Sequence, residues 1–394
     1  MRIALRAMLY VLAMALLVLA VTVAWLWPIY DYRPAESSPF SLQRLPGNPQ
    51  LYAVAPELGY ANIAGPSVIR VPDWVENPLG QYYLYFAHHK GSYIRMAYAD
   101  SPAGPWTLHD EGALRLEDSG FATALVEKPT LTAIIGDLFA TFSLAVTRDY
   151  LLLAHRAMVT DPAIRESRGL AAAANQAPHI ASPEVVIDED KRELLMFFHG
   201  YDQRGGQSSA VAVSADGLEF ALDIAQPRLL TTYLRMFQHD GYYYLLGMPG
   251  VLYRGESPRG PFQPRDSILF EPDMRHAGVW VSGDTLYVFW SRVGYAPERL
   301  LLSKVELGDP DWDNWRATAP VDVLSPEMVW EGSLLPVQAS LRGELDVPAR
   351  ELRDPYVLQD RDGQLYLYYV GGGEQAIGVA RMLIDTNEAA LVPR

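Results

Sequence analysis

The sequence predicts an all-β protein, a five-bladed β-propeller made from a repeated strand–turn–strand unit. The unit consists of an apolar strand, a glycine-containing turn and an aromatic strand, and it occurs five times between residues 51 and 390. Aromatic residues make up 11% of the chain, with 23 Tyr and 9 Trp, which favours β structure. A β-sandwich also has many short strands, but it does not repeat one unit five times, so the propeller is favoured.

The five units follow one another along the chain with one interruption. Their leading strand pairs are "GPSVIRV" with "QYYLYFAHHKG", then "SPEVVIDEDKRELLMFFHGY", "YLRMFQHDGYYYLLGMPG", "RHAGVWVSGDTLYVFWSRVG" and "RDPYVLQDRDGQLYLYYVGGG". Each pair turns at or near a charged or glycine residue and returns through a strand rich in aromatic or aliphatic side chains. Regular spacing of such strands is the pattern of propeller blades.

The amino terminus is predicted to lie outside the propeller. Arg2 and Arg6 precede an apolar run from Ala7 to Trp27, which is long enough to span a bilayer as a helix. The arginines predict a single-pass protein whose amino terminus stays in the cytoplasm and whose propeller lies on the outer side. A cleaved signal peptide is the alternative for residues 1–30. Residues 31–50 are predicted to be a polar linker.

One segment interrupts the repeat between units one and two. Residues 119–177 are predicted to form a helical insertion, in which Asp161 caps a helix and Pro162 takes its first position. Three roles stay open for this segment: a helical layer packed on the propeller, a lid over the mouth of the site, or a contact with a membrane or partner.

Charge and composition exclude several classes of function. The formal net charge of -15 argues against a nucleic-acid partner, because an acidic surface repels phosphate. The chain has no Cys, which excludes thiol catalysis, disulfides and cysteine-based metal sites. No local histidine–carboxylate spacing typical of a metal site is present, so neither a metal site nor a cofactor is predicted. A metal-assisted enzyme that uses rim histidines and carboxylates stays open as a third hypothesis, because its ligands would come from separate blades.

Several motifs resemble those of a known family. "PSVIRVPDW", "YYLYFAHHKGSYIRMAYADSPAGPW", "HIASPEVVID" and "LRDPYVLQDRDGQLYLYY" are similar to sequences of the five-bladed β-propeller glycoside hydrolases of the family 43 type, which include arabinanases, β-xylosidases and fructan-cleaving enzymes. The resemblance covers residues 53–382. It implies a glycosidase that acts on an oligosaccharide or a cell-envelope glycan, and it leaves open a structural cation in the central channel. A non-catalytic carbohydrate-binding or scaffold propeller is the competing hypothesis.

The predicted site is the rim where the innermost strands of the blades begin. Cleavage of a glycosidic bond usually needs two carboxyl groups that flank the bond. The resemblance implies acids at the starts of inner strands, where this chain keeps Asp354 but has Gly65 and Ser182 in the first two blades. Glu184 shares the rim by strand alternation, and Glu331 lies in a loop predicted to reach it. These three acids are the candidate catalytic residues.

Basic side chains are predicted to gather at the same rim and to bind substrate hydroxyls. Antiparallel pairing places the end of each second strand beside the start of the first, so both sets of residues meet at one mouth of the channel. The candidates are His88, His89, His179, His199, Arg235, Arg275, His276, Arg292 and Arg353.

Overall fold

Five antiparallel sheets surround a central channel, which confirms the predicted five-bladed propeller. The computed structural model describes residues 31–53, 62–127, 129–170 and 177–384, together with Ala15. Blades one to four hold β3–β6, β7–β10, β11–β14 and β15–β18, and blade five holds β19–β21 with β1 and β2. In chain order these strands are β1 Phe40–Arg44, β2 Leu51–Tyr52, β3 Ala64–Arg70, β4 Tyr82–Ala87, β5 Tyr93–Ala99, β6 Thr107–Arg115, β7 Ile180–Asp188, β8 Glu193–Tyr201, β9 Gln207–Ser214, β10 Ala221–Leu222, β11 Thr232–His239, β12 Tyr242–Met248, β13 Val251–Gly255, β14 Gln263–Pro264, β15 Met274–Ser282, β16 Thr285–Arg292, β17 Leu300–Glu306, β18 Val321–Leu324, β19 Leu352–Gln359, β20 Leu365–Gly371 and β21 Ala376–Ile384.

The core lies between the blades. Five clusters of buried apolar side chains fill the spaces between adjacent blades, for example Tyr83 and Tyr85 of blade one against Met196 and Phe198 of blade two. Strand β4 shows this arrangement: its side chains pack alternately into the clusters on either side of blade one, and all six of its residues are buried. This packing holds the inner strands β3, β7, β11, β15 and β19 around the channel.

The ring is closed by a strand from the amino-terminal side of the propeller. β1 pairs antiparallel with β21, from Phe40 opposite Ile384 to Arg44 opposite Ala380, and forms the outer edge of blade five. The prediction that all of residues 31–50 form a linker is therefore wrong for Phe40–Arg44. A strand of five residues is too short to be recognised from its own sequence pattern. The extended conformation of β1 follows from its pairing with β21.

Two helices lie between blade one and blade two. Helix α1 spans Leu131–Thr141 and is capped by Thr130, and helix α2 spans Leu144–Ser167 and is capped by Ser143. The predicted helix start at Asp161 and Pro162 is wrong, because both residues lie inside α2. Leu138, Phe142 and Val146 pack into the core cluster between blades two and three. The helix therefore begins at the Ser143 cap, just ahead of its buried apolar face and well before Asp161.

The predicted transmembrane helix is not found. Among the residues that the structure describes, no helix is both long and apolar enough to cross a membrane. This corrects the predicted fold class and the predicted single-pass membrane location. The apolar run that motivated the prediction lies in residues 1–30, which fall outside the described residues except for Ala15.

Candidate functional site

The starts of the inner strands are bent by bulges. In each of the five inner strands the pairing register breaks after the first or second residue, for instance between Ala181 and Glu184 in β7. Bulges redirect side chains and are common beside functional sites. Four strands place a residue with positive φ at this point: Gly65 at 62°, Ser182 at 51°, Tyr233 at 57° and Asp354 at 49°.

These bent strand starts meet at one mouth of the channel. The Gly65 N–H donates to Asp354 Oδ2 at 2.9 Å, which ties blade one to blade five. A Cβ atom on Gly65 would lie 3.0 Å from Ser182 Cα, so blade two closes directly over this position. The predicted convergence of the strand starts is thus present, but the position where the resemblance implies an acid has no room for a side chain.

A line of polar groups crosses the mouth from blade five to the end of β4. Asp354 Oδ1 lies in close contact with His276 Nδ1, and the ring of His276 lies 3.6 Å, centroid to centroid, from the ring of Tyr233. The Tyr233 hydroxyl is hydrogen-bonded to His89 Nε2 at 2.8 Å, and His89 Nδ1 lies 3.5 Å from Glu374 Oε1. Two histidines are therefore each backed by a carboxylate and meet at one tyrosine.

Burial controls the charge states along this line. Burial, and then the positive charge of Arg275, hold the pKa of His276 well below its ordinary value, so the imidazole is neutral near pH 7. Burial raises the pKa of the Tyr233 hydroxyl, which keeps it protonated. Burial also works to raise the pKa of Glu374, but His89 and Arg353 outweigh it and the net pKa is lowered. The line thus combines a neutral base, a protonated hydroxyl and a carboxylate.

A further pair of histidines lies beside Tyr233. The ring of His199 lies 4.5 Å from that of Tyr233 and 5.7 Å from that of His179. Burial holds the pKa of His199 well below its ordinary value and lowers the pKa of His179 to about 4. Within the described ranges the ring nitrogens of His199 have no hydrogen-bond partner. Both histidines are neutral near pH 7 and extend the polar mouth toward blade two.

Two buried arginines hold a loop against this mouth. Arg353 bonds Glu351 and donates to Glu374 Oε1 at 2.7 Å, and it is fully buried. Arg275 Nε lies 2.9 Å from a carboxylate oxygen of Glu298. Both arginines also donate to the carbonyl of Gly343, which fixes residues 341–344 at the mouth.

A cavity of about 1020 Å³ lies between this mouth and the two helices. Its propeller wall carries basic, acidic and aromatic groups, and its other wall comes from α1, α2 and the segments beside them. Glu344 contributes a carboxylate that contacts Lys90 Nζ. Burial works to raise the pKa of Glu344, but the hydrogen bond from Lys90 and the charge of His89 outweigh it and lower the net pKa. The propeller-side lining includes His89, Lys90, His179, Gln207, Tyr233, Arg275, His276, Arg342 and Glu344.

Four of the predicted substrate-binding residues line this cavity, namely His89, His179, Arg275 and His276. The other five lie elsewhere. His88 accepts a turn hydrogen bond from the Lys90 N–H at 2.9 Å, and Arg292, which lies opposite Met274 at the mouth end of blade four, pairs with Glu271 and does not line the cavity. His199 and Arg353 are fully buried and do not line the cavity, and Arg235 lies in the channel. Their predicted contact with substrate is therefore not supported by their positions.

Arg235 and Glu184 lie inside the channel. The guanidinium of Arg235 donates to the carbonyls of Pro66, Pro183 and Ala277 and lies 2.9 Å from Glu184 Oε2. It also lies over the ring of Tyr356, 5.1 Å from the centroid. Since Arg235 belongs to blade three, this one side chain touches all five blades. The side chains of Arg235 and Glu184 are each 4% exposed. The ion pair therefore holds the blades together and is not in a position to bind a ligand.

Glu331 lies on the outer part of blade five rather than at the rim. Its carboxylate accepts from Arg44 Nε at 2.7 Å and from the Tyr369 hydroxyl at 2.8 Å. Backbone N–H groups of Glu327 and Met328 donate to the same carboxylate. Glu331 is fully buried and fastens β1 to the ring, so its position gives it a structural role.

Five of the propeller-side lining residues named above were not among the predicted site residues: Lys90, Gln207, Tyr233, Arg342 and Glu344. Tyr233 is the second residue of the inner strand β11, so its position at the strand start was a signal for the site. Lys90 follows His88 and His89 and could have been included by the same strand-end argument. Glu344 lies in an irregular stretch, and no periodic signal marks it. Among the described residues no group of three or more His, Asp or Glu side chains is arranged to hold a metal ion.

Comparison with known proteins bears on the fold. No family model matches the chain. Uncharacterized protein R118 of Acanthamoeba polyphaga mimivirus is 28% identical over 374 residues, which cover 88% of this chain and 92% of that protein. The crystal structure of a putative glycoside hydrolase from Bacteroides ovatus ATCC 8483 matches with a TM-score of 0.54 at 12% identity, over 91% of this chain and 99% of that chain.

A thermostable family-43 glycoside hydrolase matches with a TM-score of 0.49 at 15% identity, over 81% of this chain and 89% of its own. The match to the Bacteroides ovatus structure, at 12% identity, establishes a shared fold and nothing finer. This chain, a five-bladed propeller, therefore shares its fold with the putative glycoside hydrolase from Bacteroides ovatus ATCC 8483.

Proposed function

We propose that the protein is a carbohydrate-active enzyme that hydrolyses a glycosidic bond in the cavity between the propeller mouth and the two helices. The observation that supports this most is the line of His276, Tyr233 and His89, backed by Asp354 and Glu374, at the floor of that cavity. The fold, shared with a putative glycoside hydrolase, points to the same chemistry.

His276 is the proposed proton-transferring group. Contact of its Nδ1 with Asp354 orients the ring and favours a proton on Nδ1, so that Nε2 is the nitrogen that accepts a proton from water. Its lowered pKa keeps it in the neutral form that a base needs. Asp354 is thus a positioning residue for His276 in this proposal rather than the acid that attacks or protonates the sugar.

Glu344 is the proposed charge-stabilising group. Glycoside cleavage passes through a transition state with oxocarbenium character, which a nearby carboxylate stabilises. Glu344 lines the cavity, and its lowered pKa keeps it ionised near neutral pH. In this proposal the Tyr233 hydroxyl, held by His89 on the same wall, gives its proton to the leaving-group oxygen as the glycosidic C–O bond breaks. The proton that His276 takes from the attacking water then restores the hydroxyl.

Non-catalytic sugar binding is the second candidate, and one observation favours it. Gly65 and Ser182 stand at the strand starts where the resemblance implies acids, and blade two closes over Gly65. The acids predicted from the sequence are also engaged: Asp354 with His276 and Gly65, and Glu184 with Arg235. Such a propeller would bind a glycan at the same cavity and leave it intact.

A glycan panel tests the proposal. Furanosides, pyranosides and cell-envelope glycans are incubated with the full chain, and cleavage and binding are measured separately. For a cleaved substrate, His276→Gln should lower the rate by at least about a hundredfold, the usual minimum for a general acid–base group. His239→Gln is the matched control, because His239 lies at the far end of β11 and contacts Asp284 and Trp315. Binding without cleavage would establish the non-catalytic function, and neither binding nor cleavage would overturn both.

A further inference from the structure

The cavity has two unlike walls. The propeller wall is polar, as described above, whereas the wall formed by the helices carries a continuous set of aliphatic side chains. Ile134 is 39% exposed although it is an apolar residue of α1 that lines the cavity. The aliphatic lining of α1 and α2 consists of Ala133, Ile134, Leu138, Leu151, Leu153 and Ala154.

Three charged residues of the helices, Asp137, Arg165 and Glu166, also line the cavity, beside the aliphatic stretch. Arg165 donates to the backbone carbonyls of Arg342 and Glu344, and so it fastens α2 to the mouth loop. Asp137 lies 3.5 Å from the guanidinium of Arg204 at the side of the cavity. An oligosaccharide laid along the aliphatic stretch would lose hydrogen bonds to water without replacing them.

The cavity is large enough to hold more than one sugar-sized polar group. Pockets for small molecules span roughly 300–1,000 Å³, and this cavity lies at the upper end of that range. A sugar bound to His89, His276 and Glu344 at the floor would leave the helix side to be filled by another part of the same molecule. Hydrocarbon is the group that gains free energy by covering aliphatic side chains.

We infer that the cavity binds an amphiphilic glycoside, with the sugar against the propeller mouth and a hydrocarbon chain against α1 and α2. This inference rests on the proposed function, since it places the sugar at the proposed site. It specifies the substrate class: a glycoside whose aglycone is a lipid or another long alkyl group. The helices then act as the binding site for the aglycone.

Paired probes test the inference. Methyl and n-octyl glycosides of the same sugar, for glucose, galactose, xylose and arabinose, are titrated calorimetrically into the full chain below the micelle concentration. Each buried methylene should tighten binding about fourfold, which corresponds to about 0.8 kcal/mol. At least one octyl glycoside should therefore bind far more tightly than its methyl partner, and 1-octanol should bind more weakly than that octyl glycoside.

A matched pair of variants locates the alkyl chain. Ile134→Asn should weaken binding of the octyl glycoside about tenfold and leave its methyl partner unchanged. Phe139→Asn is the control, because Phe139 lies on the same helix and is 46% exposed but does not line the cavity. An unchanged octyl affinity in Ile134→Asn would overturn the inference.

The outcomes separate the inference from the proposed function. Equal affinities for methyl and octyl partners would overturn the inference and keep the sugar site. Binding of 1-octanol as tight as that of the octyl glycosides, with no methyl glycoside bound, would remove the sugar from the cavity and overturn both. No binding by any probe would overturn the inference as well.

Discussion

Replacement of Arg235 by methionine should destabilise the whole ring. Methionine keeps most of the apolar stem but removes the guanidinium that reaches Glu184 and the carbonyls of three blades. Removing one partner of a buried ion pair costs about 3–5 kcal/mol, because the other charge stays buried and unpaired. Each carbonyl left without a donor adds roughly 1–3 kcal/mol, although such terms do not sum fully. We expect a loss of at least about 4 kcal/mol.

Urea unfolding followed by tryptophan fluorescence measures this loss. With a slope of about 3 kcal/mol per molar urea, a loss of 4 kcal/mol lowers the midpoint by roughly 1.3 M. The double variant Arg235→Met/Glu184→Gln removes the unpaired charge and keeps an acceptor for the Met236 N–H, which donates to Glu184 Oε1 at 3.0 Å. It should regain a substantial part of the lost stability.

The pH dependence of the loss gives a second measurement. Burial raises the pKa of Glu184 above its ordinary value of 4.5, and Arg235 opposes that rise. The folded state therefore holds this proton more tightly than the unfolded state. Its contribution to stability is present below pH 4.5 and is lost as the pH rises through the raised folded pKa. Without Arg235 the folded pKa rises further, so the deficit of Arg235→Met should be smaller near pH 4.5 than at pH 8. An equal deficit at both pH values, with no recovery in the double variant, would refute the reasoning.

Two more variants test the mouth and the ring closure. Gly65→Asp should destabilise by about 3 kcal/mol or more in thermal unfolding, since it combines positive-φ strain with crowding by blade two, whereas Gly47→Asp has similar strain, no neighbour within 4 Å and a smaller expected loss. Arg44→Ala should cost about 3 kcal/mol by leaving Glu331 buried and unpaired, whereas Glu327→Ala, which removes the 68% exposed partner of Arg44, should cost under about 1 kcal/mol. Equal losses within either pair would contradict the explanation.

The propeller could be predicted because each repeat can be recognised from a short, continuous stretch of sequence. Each blade carries its own apolar strand, turn and aromatic strand, and packing between blades reinforces the same pattern five times. β1 could not be predicted, because its pairing partner β21 lies at the other end of the chain. The start of α2 was mispredicted because Pro162 looked like a first helical residue, while Ser143 provides the cap ahead of the apolar run.

The sequence predicts which strand ends meet at the mouth, but it does not predict how far down the channel each side chain lies. Chain topology correctly gathers His89, His179 and His276, but their roles in substrate binding stay a prediction. A period of two tells which face of a strand a side chain takes, and it does not tell how far down the channel the side chain lies. That is why Arg235 and Glu184 were assigned to a ligand, although they pair with each other inside the channel.

The strand order of blade five has a consequence for synthesis of the protein. Phe40–Arg44 emerges from the ribosome early, whereas its partner β21 is made roughly 340 residues later, which takes about 20–70 s at 5–20 residues per second. During that interval the first strand has no native partner, and blades one to four form an open arc with exposed apolar sides. An unpaired strand edge and uncovered apolar surface both promote association between chains. The nascent chain is therefore most exposed to aggregation just before its last strand is released, and a chaperone that covers the arc would act at that stage.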